Sequence, residues 1–483
     1  MLVCPLDCWD ICVMDKKDNK FIPTDKGVTN NYLCYKLNNY FKFPKHNIEF
    51  NLDEVEKALK SVEPKRILFL KGSGNLGIMQ NITKLFFEKL GATFAVGSSC
   101  DGKGEEGIIK AVGDTHILPL EKIQEAKNII IWGRNPYVTN THLIPYLKDK
   151  NIITIDVRYT DTAKHSNTFY QIKANTDIFL AKYLITKDKK YLEFTGLNEV
   201  DELEKVLDES IILLGLGVAK NSYGDKTTHT ISALNIPTAF LGNSGEGIYN
   251  PFSFIPKNSM PLFEIEWDKI DLVFIQASNP LVSLPSFKIP KDKKVIVFGK
   301  YFDESAKRAD IFIPTKDFYA KKDVRSSYFH EFMFINEPKE DDFGISEYEF
   351  TKEMYKRFNF DGLLSEDEYI KQIYKPIRKV GEAKKAQYID FKIDYKDTTY
   401  IVTAKNKTSL NSQFKRDKFA YMCDFEGKAI LTTKVGSLEV EVKKDTTIPK
   451  GVVFMYAGSE VNKILSSTGK NATYSEEVIC KRL

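Results

Sequence analysis

The 483-residue sequence has little of what marks an exported or membrane-spanning protein. No stretch approaches 18 consecutive apolar residues, so we expect no membrane-spanning helix. The N-terminus, Met1-Leu2-Val3-Cys4, has no basic segment, no apolar segment and no twin arginine, which argues against export. We therefore expect a cytoplasmic protein without direct membrane insertion.

An excess of charge of one sign is also lacking. The 70 Lys and Arg residues and 66 Asp and Glu residues leave a net charge of +4, and the two signs are interleaved. Because a nucleic-acid-binding protein usually concentrates its basic residues on one surface, we expect no nucleic-acid partner. The hydrophobic fraction of 42% is ordinary for a globular protein and excludes disorder as the main state.

Cysteines are few, seven in all, yet four of them fall within the first 34 residues. Cys4, Cys8 and Cys12 have the spacing C-x3-C-x3-C, and Cys34 follows after 21 residues. In a cytoplasmic chain such crowding favours a metal over disulfides. Zinc prefers paired C-x2-C ligands, which this segment lacks, and free cysteines prefer apolar elements rather than these Asp- and Pro-containing loops. We therefore favour a cubane iron–sulfur cluster held by four thiolates.

Buried-strand patterns alternate with helical patterns along most of the chain. The strand patterns cover residues 66–70, 128–132, 152–156, 211–214, 272–275 and 294–298, and helical patterns include residues 78–90, 347–357 and 366–380. Such alternation predicts parallel sheets that are covered on both faces. From Tyr400 onward short strand patterns predominate, which predicts a small β-barrel or β-sandwich domain.

These patterns predict an α/β fold with four regions. They are a small N-terminal iron–sulfur region at 1–50, an α/β cofactor-binding unit at 51–200, a second α/β unit with a helical extension at 201–394, and a β-barrel domain at 395–483. Open parallel sheets bind ligands at the carboxyl ends of their strands. We therefore expect the two α/β units to face each other across a cofactor cleft.

Glycine-rich loops follow two of the strand patterns. Gly72-Ser73-Gly74 and Gly215-Leu216-Gly217 each resemble half of a dinucleotide-binding fingerprint, but neither has its third glycine in register. Asp156 ends another strand pattern. A carboxylate there either contacts a ribose or guanine edge or caps the strand in solvent, and the residue alone leaves both interpretations open.

Cys100 is followed by glycines at 102, 104 and 107 and is surrounded by small residues. Small residues let a large cofactor approach the backbone, and a thiolate at this place can bind a soft metal. The alternative is a surface loop with an incidental thiol. Residue chemistry alone favours that alternative.

Together and in this order, the motifs resemble one family, the molybdenum or tungsten enzymes with a bis-pterin guanine dinucleotide cofactor (the dimethyl sulfoxide reductase superfamily). The segment from Cys4 to Cys12 is similar to the opening of one branch, and Cys34-Tyr35-Lys36 to its fourth cluster ligand and the lysine that follows. Asn175-Thr176-Asp177 stands where the family usually has Gly-Thr-Asp. Further similar segments are residues 71–77, 132–136, 155–163, 276–280, 309–314, 410–414 and 461–462.

The resemblance implies a [4Fe–4S] cluster on Cys4, Cys8, Cys12 and Cys34, and Cys100 as the ligand of molybdenum or tungsten. It places Lys36 on the electron path between the cluster and a pterin, and makes the domain at 395–483 a molybdopterin dinucleotide-binding domain. The implied contacts to pterin, phosphate or guanine come from Gly72, Gly74, Asn75, Gly133, Asn135, Asp156, Arg158, Thr176, Asp177, Gly215, Asn279, Asn411 and Asn462.

The implied activity is an oxidoreductase that acts on a small-molecule redox substrate and exchanges electrons with an iron–sulfur or flavin partner subunit. A formate-dehydrogenase-like activity is one option, but Asp101 follows Cys100 where formate dehydrogenases of the family have histidine, and this departure counts against it; the substrate stays open. The alternative function is a non-catalytic structural or electron-relay subunit that resembles the large iron–sulfur subunit of NADH dehydrogenase. Short loops favour that subunit, whereas Cys100 and the glycine loops favour the enzyme. An ordinary NAD-dependent dehydrogenase leaves the N-terminal cysteines unexplained.

Overall fold

The computed structural model describes residues 1–42, 47–113, 118–240, 250–377, 384–410, 412–458 and 460–483. The chain divides into two compact units, each assembled from separate stretches of sequence. The first unit comprises Met1–Gly97, Ile248–Ser327 and Phe332–Arg378. The second unit comprises Ser98–Gly247, Tyr328–Glu331 and Lys379–Leu483.

The described strands and helices are short and alternate through the first three quarters of the chain. The strands are β1 (Leu2–Val3), β2 (Val13–Lys17), β3 (Lys20–Pro23), β4 (Ile67–Lys71), β5 (Thr93–Val96), β6 (Asn128–Trp132), β7 (Asn151–Asp156), β8 (Thr168–Gln171), β9 (Ser210–Leu214), β10 (Thr238–Phe240), β11 (Ser259–Pro261), β12 (Leu272–Gln276), β13 (Lys294–Gly299), β14 (Ile311–Pro314), β15 (Asp323–Ser326), β16 (Met333–Asn336), β17 (Tyr400–Ala404), β18 (Ser409–Leu410), β19 (Gln413–Phe414), β20 (Ala420–Met422), β21 (Gly427–Thr432), β22 (Ser437–Lys444), β23 (Val452–Tyr456), β24 (Ser467–Thr468), β25 (Asn471–Ala472), β26 (Ser475–Glu477) and β27 (Ile479–Arg482). The α-helices are α1 (Tyr35–Asn38), α2 (Leu52–Lys60), α3 (Thr83–Leu90), α4 (Gly102–Val112), α5 (Leu120–Glu125), α6 (Pro136–Thr139), α7 (Ile144–Leu147), α8 (Asp177–Thr186), α9 (Lys189–Thr195), α10 (Asp201–Val206), α11 (Leu216–Ala219), α12 (Gly224–Ser232), α13 (Pro280–Ser283), α14 (Glu304–Arg308), α15 (Glu347–Arg357) and α16 (Glu366–Ile373).

A small antiparallel sheet, β1-β2-β3, begins the first unit. The backbone N–H of Val3 donates to the side-chain oxygen of Asn336 at 2.8 Å, and the amide nitrogen of Asn336 donates to the carbonyl of Phe318. These bonds attach the N-terminal sheet to β16 and its surroundings. An N-terminal segment too short for a core of its own is thereby ordered by the rest of the unit.

The main sheet of the first unit is parallel, with strand order β11-β5-β4-β12-β13-β14. Its central strands are apolar in consecutive positions because helices and loops cover both faces. One covering layer is aromatic: the rings of Phe69 and Phe87 stack with centroids 4.2 Å apart, and the ring of Phe274 lies 4.6 Å from that of Phe87. This packing supports the strand ends that carry the first glycine loop.

The main sheet of the second unit is also parallel, with strand order β10-β9-β6-β7-β8. Helices α4 and α12 pack closely in this unit. A Cβ atom at Gly107 would lie 2.0 Å from the carbonyl oxygen of Asp225, so this glycine permits the contact between the two helices. The hydroxyl of Thr228 donates to the carbonyl of Gly104 at 2.7 Å across the same contact.

The C-terminal sheet of the second unit is nearly closed and barrel-like, with strand order β26-β17-β23-β20-β22-β21-β27. It contacts the parallel sheet of the same unit through Arg158. The guanidinium of Arg158 donates to Thr447 at 3.1 Å and to Asp445 at 3.3 Å, and it lies 4.6 Å from the centroid of the Phe454 ring. The α/β fold with parallel sheets and a C-terminal barrel is thus confirmed.

The strands sort into sheets differently from the predicted boundaries at 51–200 and 201–394. Strands β4 and β5 pair in one sheet with β11–β14, whereas β9 and β10 pair with β6–β8. Residue patterns identify a buried strand but not its neighbour, because parallel strands pair across long connections and carry similar apolar sequences. The predicted cleft between two α/β units stays a prediction.

Two of the predicted helices are shorter than expected. The helical pattern at 78–90 forms a 3-10 turn at Met79–Asn81 followed by α3, and the pattern at 366–380 forms α16, which ends at Ile373. Residues 378–380 of that pattern lie outside the described residues. Among the described residues, no helix combines the length and the apolar character needed to cross a bilayer.

Candidate functional site

The first candidate site is the cysteine loop at the start of the first unit. The loop closes on itself, because the backbone N–H of Cys4 donates to the carbonyl of Cys12 at 2.8 Å between β1 and β2. The N–H of Leu6 points back to the Cys4 sulfur at 3.4 Å. Arg325 donates to the carbonyl of Leu6, and Ser327 donates to the carbonyl of Trp9. Buried residues that are distant in sequence therefore hold this loop in place.

The four N-terminal thiols are close enough to affect one another's ionisation. Burial and the charge of Cys34 raise the pKa of Cys4 to about 12. Burial raises the pKa of Cys8 and of Cys12 well above the usual thiol value, and the charges of Cys4 and Cys34 add to both shifts. Only a nearby positive charge would let four such thiols ionise together. The arrangement is therefore suited to bind metal ions, which supply that charge.

Cys34 joins the group from the first turn of α1, where it is the N-cap residue. Burial raises the pKa of its thiol, while the backbone N–H groups of Leu37 and Lys36 act in the opposite direction by bonding to the sulfur. Lys36 thus lies on the helix that presents Cys34. Whether its side chain lies on an electron path stays a prediction.

The carboxyl edge of the first unit's parallel sheet carries Gly72, Gly74, Asn75 and Asn279. The Gly72 N–H donates to the carbonyl of Gln276 at 2.8 Å, and a Cβ atom at Gly72 would lie 2.5 Å from the carbonyl oxygen of Ala277. The first glycine loop thus packs directly on the loop after β12. Because glycine has no Cβ atom, Gly72 permits this close approach of two backbones, whether or not the loop also binds a ligand.

The side chains of the two asparagines at this edge have partners within the fold. The oxygen of Asn75 accepts from the Gly77 N–H at 3.0 Å. The amide of Asn279 donates to Glu304 at 2.8 Å and its oxygen accepts from the Ser305 hydroxyl at 2.7 Å, which fixes the start of α14. For both residues the structure indicates a role in shaping the loops.

Lys71, the last residue of β4, is a feature that the sequence analysis did not single out. Burial lowers the pKa of its ammonium group to about 7. The group donates to the carbonyl of Gly72 at 2.9 Å, and the charges of Glu347 and Asp323 oppose the effect of burial only in part. The residues next to Lys71 in the sequence do not indicate that its side chain is buried. Its lowered pKa therefore follows only from the folded structure.

The carboxyl edge of the second unit's parallel sheet carries Gly133, Asn135 and Gly215. Gly133 has a φ of +59°, and a Cβ atom there would lie 2.7 Å from the Val218 side chain. The Gly215 N–H donates to the carbonyl of Trp132 at 2.8 Å. The oxygen of Asn135 accepts from the Thr162 hydroxyl at 2.7 Å. These contacts hold together the loops that follow β6, β7 and β9.

Two carboxyl groups meet at the same edge. Asp177 begins α8, and Asp156 ends β7. Burial raises the pKa of Asp177 to about 6, and burial together with the charge of Asp177 raises that of Asp156 to about 7. The indole nitrogen of Trp132 donates to Asp177 at 2.8 Å. The structure thus brings together two of the predicted site residues in a poorly solvated, polar setting.

Asn175 and Thr176 precede this carboxylate. The hydroxyl of Thr176 donates to the carbonyl of Lys173 at 2.6 Å, so it stabilises the turn before α8. Asn175 has a φ of +64° and is 3% exposed, and neither polar atom of its side chain has a hydrogen-bond partner among the described residues. An unsatisfied buried amide is unfavourable by about 1–3 kcal/mol, which a bound polar group would relieve.

The loop of Cys100 belongs to the second unit and precedes α4. The Cys100 N–H donates to the Ser98 hydroxyl oxygen at 3.0 Å, and the same hydroxyl donates to Asp101 at 3.0 Å. Burial raises the pKa of Asp101. The small residues after Cys100 do not leave open space: a Cβ atom at Gly102 would lie 2.4 Å from Asn471, and one at Gly104 would lie 2.4 Å from Ala219.

For three further residues the predicted contact to a cofactor stays a prediction. The side chain of Arg158 contacts the barrel through Asp445 and Thr447 as described above. Asn462 is buried in a 3-10 turn, Glu460–Lys463. Asn411 lies outside the described residues.

Comparison with known proteins assigns the chain to a family. The sequence pattern of the family described as "Molybdopterin oxidoreductase" matches residues 51–338, which is more than half of the 483 residues. The chain belongs to the molybdopterin oxidoreductase family. Membership implies a molybdopterin cofactor with molybdenum or tungsten for the family as a whole.

Individual relatives of the family are distant in sequence. The probable oxidoreductases YyaE and YoaE of Bacillus subtilis (strain 168) are each 24% identical to the chain, over 68% and 71% of its length. These alignments cover 64% and 66% of the two proteins, so the chain spans just under two thirds of the length of these relatives. The structure of acetylene hydratase from Pelobacter acetylenicus matches with a TM-score of 0.72 and 12% identity over 100% of both chains, which shows a shared fold.

Proposed function

We propose that the chain is a molybdenum- or tungsten-dependent oxidoreductase that uses a bis-pterin guanine dinucleotide and one [4Fe–4S] cluster. Family membership over residues 51–338 supports the pterin cofactor. The observation that carries the rest of the proposal is the mutual approach of four thiols in the first unit.

The donor groups fit the proposed cofactors. Cys4, Cys8, Cys12 and Cys34 offer four sulfurs, the number that a [4Fe–4S] cluster takes. Asp156 and Asp177 offer carboxyl oxygens beside the unsatisfied amide of Asn175. Carboxylates accept hydrogen bonds and an amide both donates and accepts, so this set suits the polar edge of a guanine base.

The roles of the chain's own residues follow from these positions. The four N-terminal cysteines would hold the cluster, and Cys100 would hold the metal through its sulfur. Asp156 and Asp177 would orient the nucleotide end of one pterin, while Trp132 keeps the Asp177 carboxyl in place through its indole N–H. When bound, the metal supplies two-electron chemistry and the cluster supplies one-electron steps. Lys36 would lie on the electron path between the Cys34 side of the cluster and a pterin.

We propose a small-molecule redox substrate, an iron–sulfur or flavin partner subunit that takes or supplies electrons, and a cytoplasmic location. A partner follows from the chemistry, because a single cluster stores one electron and must pass it on.

Elemental analysis tests the proposal. The wild-type protein would be purified anaerobically from cells that are supplied with molybdate and tungstate, and iron, molybdenum and tungsten would be measured. We expect about four iron atoms and one molybdenum or tungsten atom per chain. Cys100→Ser should lose or alter the heavy metal and leave the iron content unchanged, because serine is a harder ligand than cysteine. A wild-type protein that contains iron but neither heavy metal would support the non-catalytic electron-relay subunit instead.

A further inference from the structure

The chain makes a tight turn over residues 173–176, immediately before α8. The Thr176 N–H donates to the carbonyl of Lys173 at 3.3 Å, and the Thr176 hydroxyl donates to the same carbonyl at 2.6 Å. Asn175 occupies the third position of this turn with a φ of +64°. Glycine and asparagine are the residues that tolerate this left-handed conformation best. The backbone would therefore accept either of them here.

The side chain of Asn175 distinguishes it from the glycine that would also form the turn. The residue is 3% exposed, and neither its Oδ1 nor its Nδ2 atom has a hydrogen-bond partner among the described residues. A glycine, which the resemblance expects at this position, would avoid the unsatisfied amide. Because the amide is unfavourable for the free chain, it indicates a function that needs a bound partner.

The turn lies where the barrel of the second unit meets the carboxyl edge of the parallel sheet. On one side, Ala174 packs in a hydrophobic cluster that includes Phe454 of β23. On the other side, Asp177 begins α8, and the indole N–H of Trp132 holds its carboxyl group. The Asn175 amide is therefore held beside a carboxyl group at the edge where parallel sheets bind their ligands.

The chemistry of the amide selects one class of ligand. A side-chain amide donates through Nδ2 and accepts through Oδ1. A phosphate group offers acceptors only, so it would leave Oδ1 unsatisfied, and the carboxyl groups of Asp156 and Asp177 disfavour an anion nearby. A nucleotide base presents a donor and an acceptor next to each other on one edge, and asparagine pairs with such an edge through both atoms.

We propose that Asn175 contacts the nucleotide base of the bound cofactor through both polar atoms of its amide. This inference rests on the proposed function, in which a guanine dinucleotide occupies this edge. Guanine offers O6 as an acceptor and N1–H as a donor to such an amide, and its 2-amino group is a donor for a carboxyl group. Asn175 is thus a base-binding residue in addition to those that the resemblance implies. Binding would satisfy the amide that the free chain leaves unpaired.

Asn175→Gly is the decisive variant, because it keeps the turn conformation and removes the amide. Asn235→Gly is the matched control. Asn235 also has a positive φ, +58°, but its oxygen accepts from the Ala386 N–H at 2.9 Å and its nitrogen donates to the Ala386 carbonyl at 3.2 Å. Both substitutions change the entropy of the unfolded chain equally. Asn175→Gly should therefore melt several degrees above Asn235→Gly, and equal melting temperatures overturn the inference.

The first measurement titrates GDP into the full-length protein without pterin cofactor and follows the heat of binding. Asn175→Gly should bind GDP about tenfold more weakly than the wild type, because hydrogen bonds to the base are lost. Asn235→Gly should bind GDP like the wild type. Inorganic pyrophosphate has no base, so its affinity should be the same in all three proteins.

Three results of this titration overturn the inference. They are a wild type that does not bind GDP, an equal affinity of the wild type and Asn175→Gly for GDP, and an equal loss of GDP and pyrophosphate binding in Asn175→Gly. The last result would place the contact at the phosphate groups instead of the base.

The second measurement uses protein purified with its cofactor and dialysed against increasing concentrations of urea. The GMP that acid hydrolysis releases from the retained cofactor is then quantified per chain. Asn175→Gly should lose its GMP at lower urea concentrations than the wild type, and equal retention overturns the inference. A wild-type protein that contains neither molybdenum nor tungsten overturns the proposed function, whereas the GDP titration decides separately on the Asn175 contact.

Discussion

The indole nitrogen of Trp132 donates to a carboxyl oxygen of Asp177 at 2.8 Å, although the two residues are 45 positions apart. The bond joins the end of β6 to the first turn of α8. It fixes one carboxyl group beside another, that of Asp156, in surroundings that raise the pKa of both.

Asp177→Asn should stabilise the cofactor-free protein in a pH-dependent way. The pKa of Asp177 is about 6 in the folded chain and about 4 in an unfolded one, so the folded state binds the proton more tightly and loses stability as pH rises between these values. Two units correspond to at most about 3 kcal/mol. The side-chain oxygen of the variant can still accept from Trp132.

The measurement is the difference in melting temperature between Asp177→Asn and the wild type. We expect this difference to increase by several degrees between pH 4 and pH 8. Glu199→Gln is the control, because Glu199 is an exposed carboxylate of the same unit. A pH-independent difference for Asp177→Asn would contradict the raised pKa.

Cys34→Ser should disrupt the proposed cluster. Removing one of four thiolate ligands should lower the iron content and bleach the broad visible absorption of the protein. Cys423→Ser is the matched control, because Cys423 is also a half-buried free thiol but belongs to the second unit. Equal iron contents in the two variants would show that Cys34 is not a ligand.

Gly133→Ala should destabilise the second unit more than Gly362→Ala destabilises the first. Both glycines have positive φ angles, +59° and +82°, which add about 1 kcal/mol of strain for alanine. At Gly133 the new methyl group would also overlap Val218, which adds about 2 kcal/mol, whereas nothing lies within 4 Å of the position at Gly362. Urea unfolding followed by circular dichroism measures both. Equal losses would mean that the loop after β6 adjusts freely.

Lys71→Met should stabilise the cofactor-free protein at neutral pH. Burial lowers the pKa of Lys71 to about 7, so the folded state is penalised for carrying the charge at lower pH, and this penalty disappears as pH rises from about 7 to about 10. The gain in melting temperature should therefore be larger at pH 6 than at pH 9.5. Lys65→Met, at an exposed lysine, provides the control. A larger gain at the higher pH would refute the lowered pKa.

The strands were predicted well, because the residue pattern that identifies a buried strand lies within the strand itself. A strand covered on both faces needs consecutive apolar residues, and the predicted runs at 128–132 and 294–298 correspond to β6 and β13 within one residue. The helix at 347–357 was also predictable, since Ser346 and Glu349 form a capping box at its start. Which strands are neighbours in a sheet was not predictable, because strand pairing depends on contacts between segments that are distant in the sequence.

The glycines after Cys100 illustrate the same limit. Their small size indicated room for a cofactor, yet Gly102 accommodates Asn471 and Gly107 accommodates the backbone at Asp225. A glycine in the sequence indicates only that something approaches the backbone closely. Which group approaches is decided by the fold.

The sequence by itself determined the spacing of the N-terminal cysteines, the alternation of strands and helices, the strand-like C-terminal region and the resemblance to the molybdopterin family, because each of these depends on residue types at fixed separations. Only the tertiary structure decided which strands share a sheet, that Asp156 and Asp177 meet, and that Asn471 pairs with Ser98 beside the Cys100 loop. Those relationships arise from burial and from hydrogen bonds between segments far apart in the chain, and burial is also what raises the pKa of Asp156, Asp177 and the four N-terminal thiols.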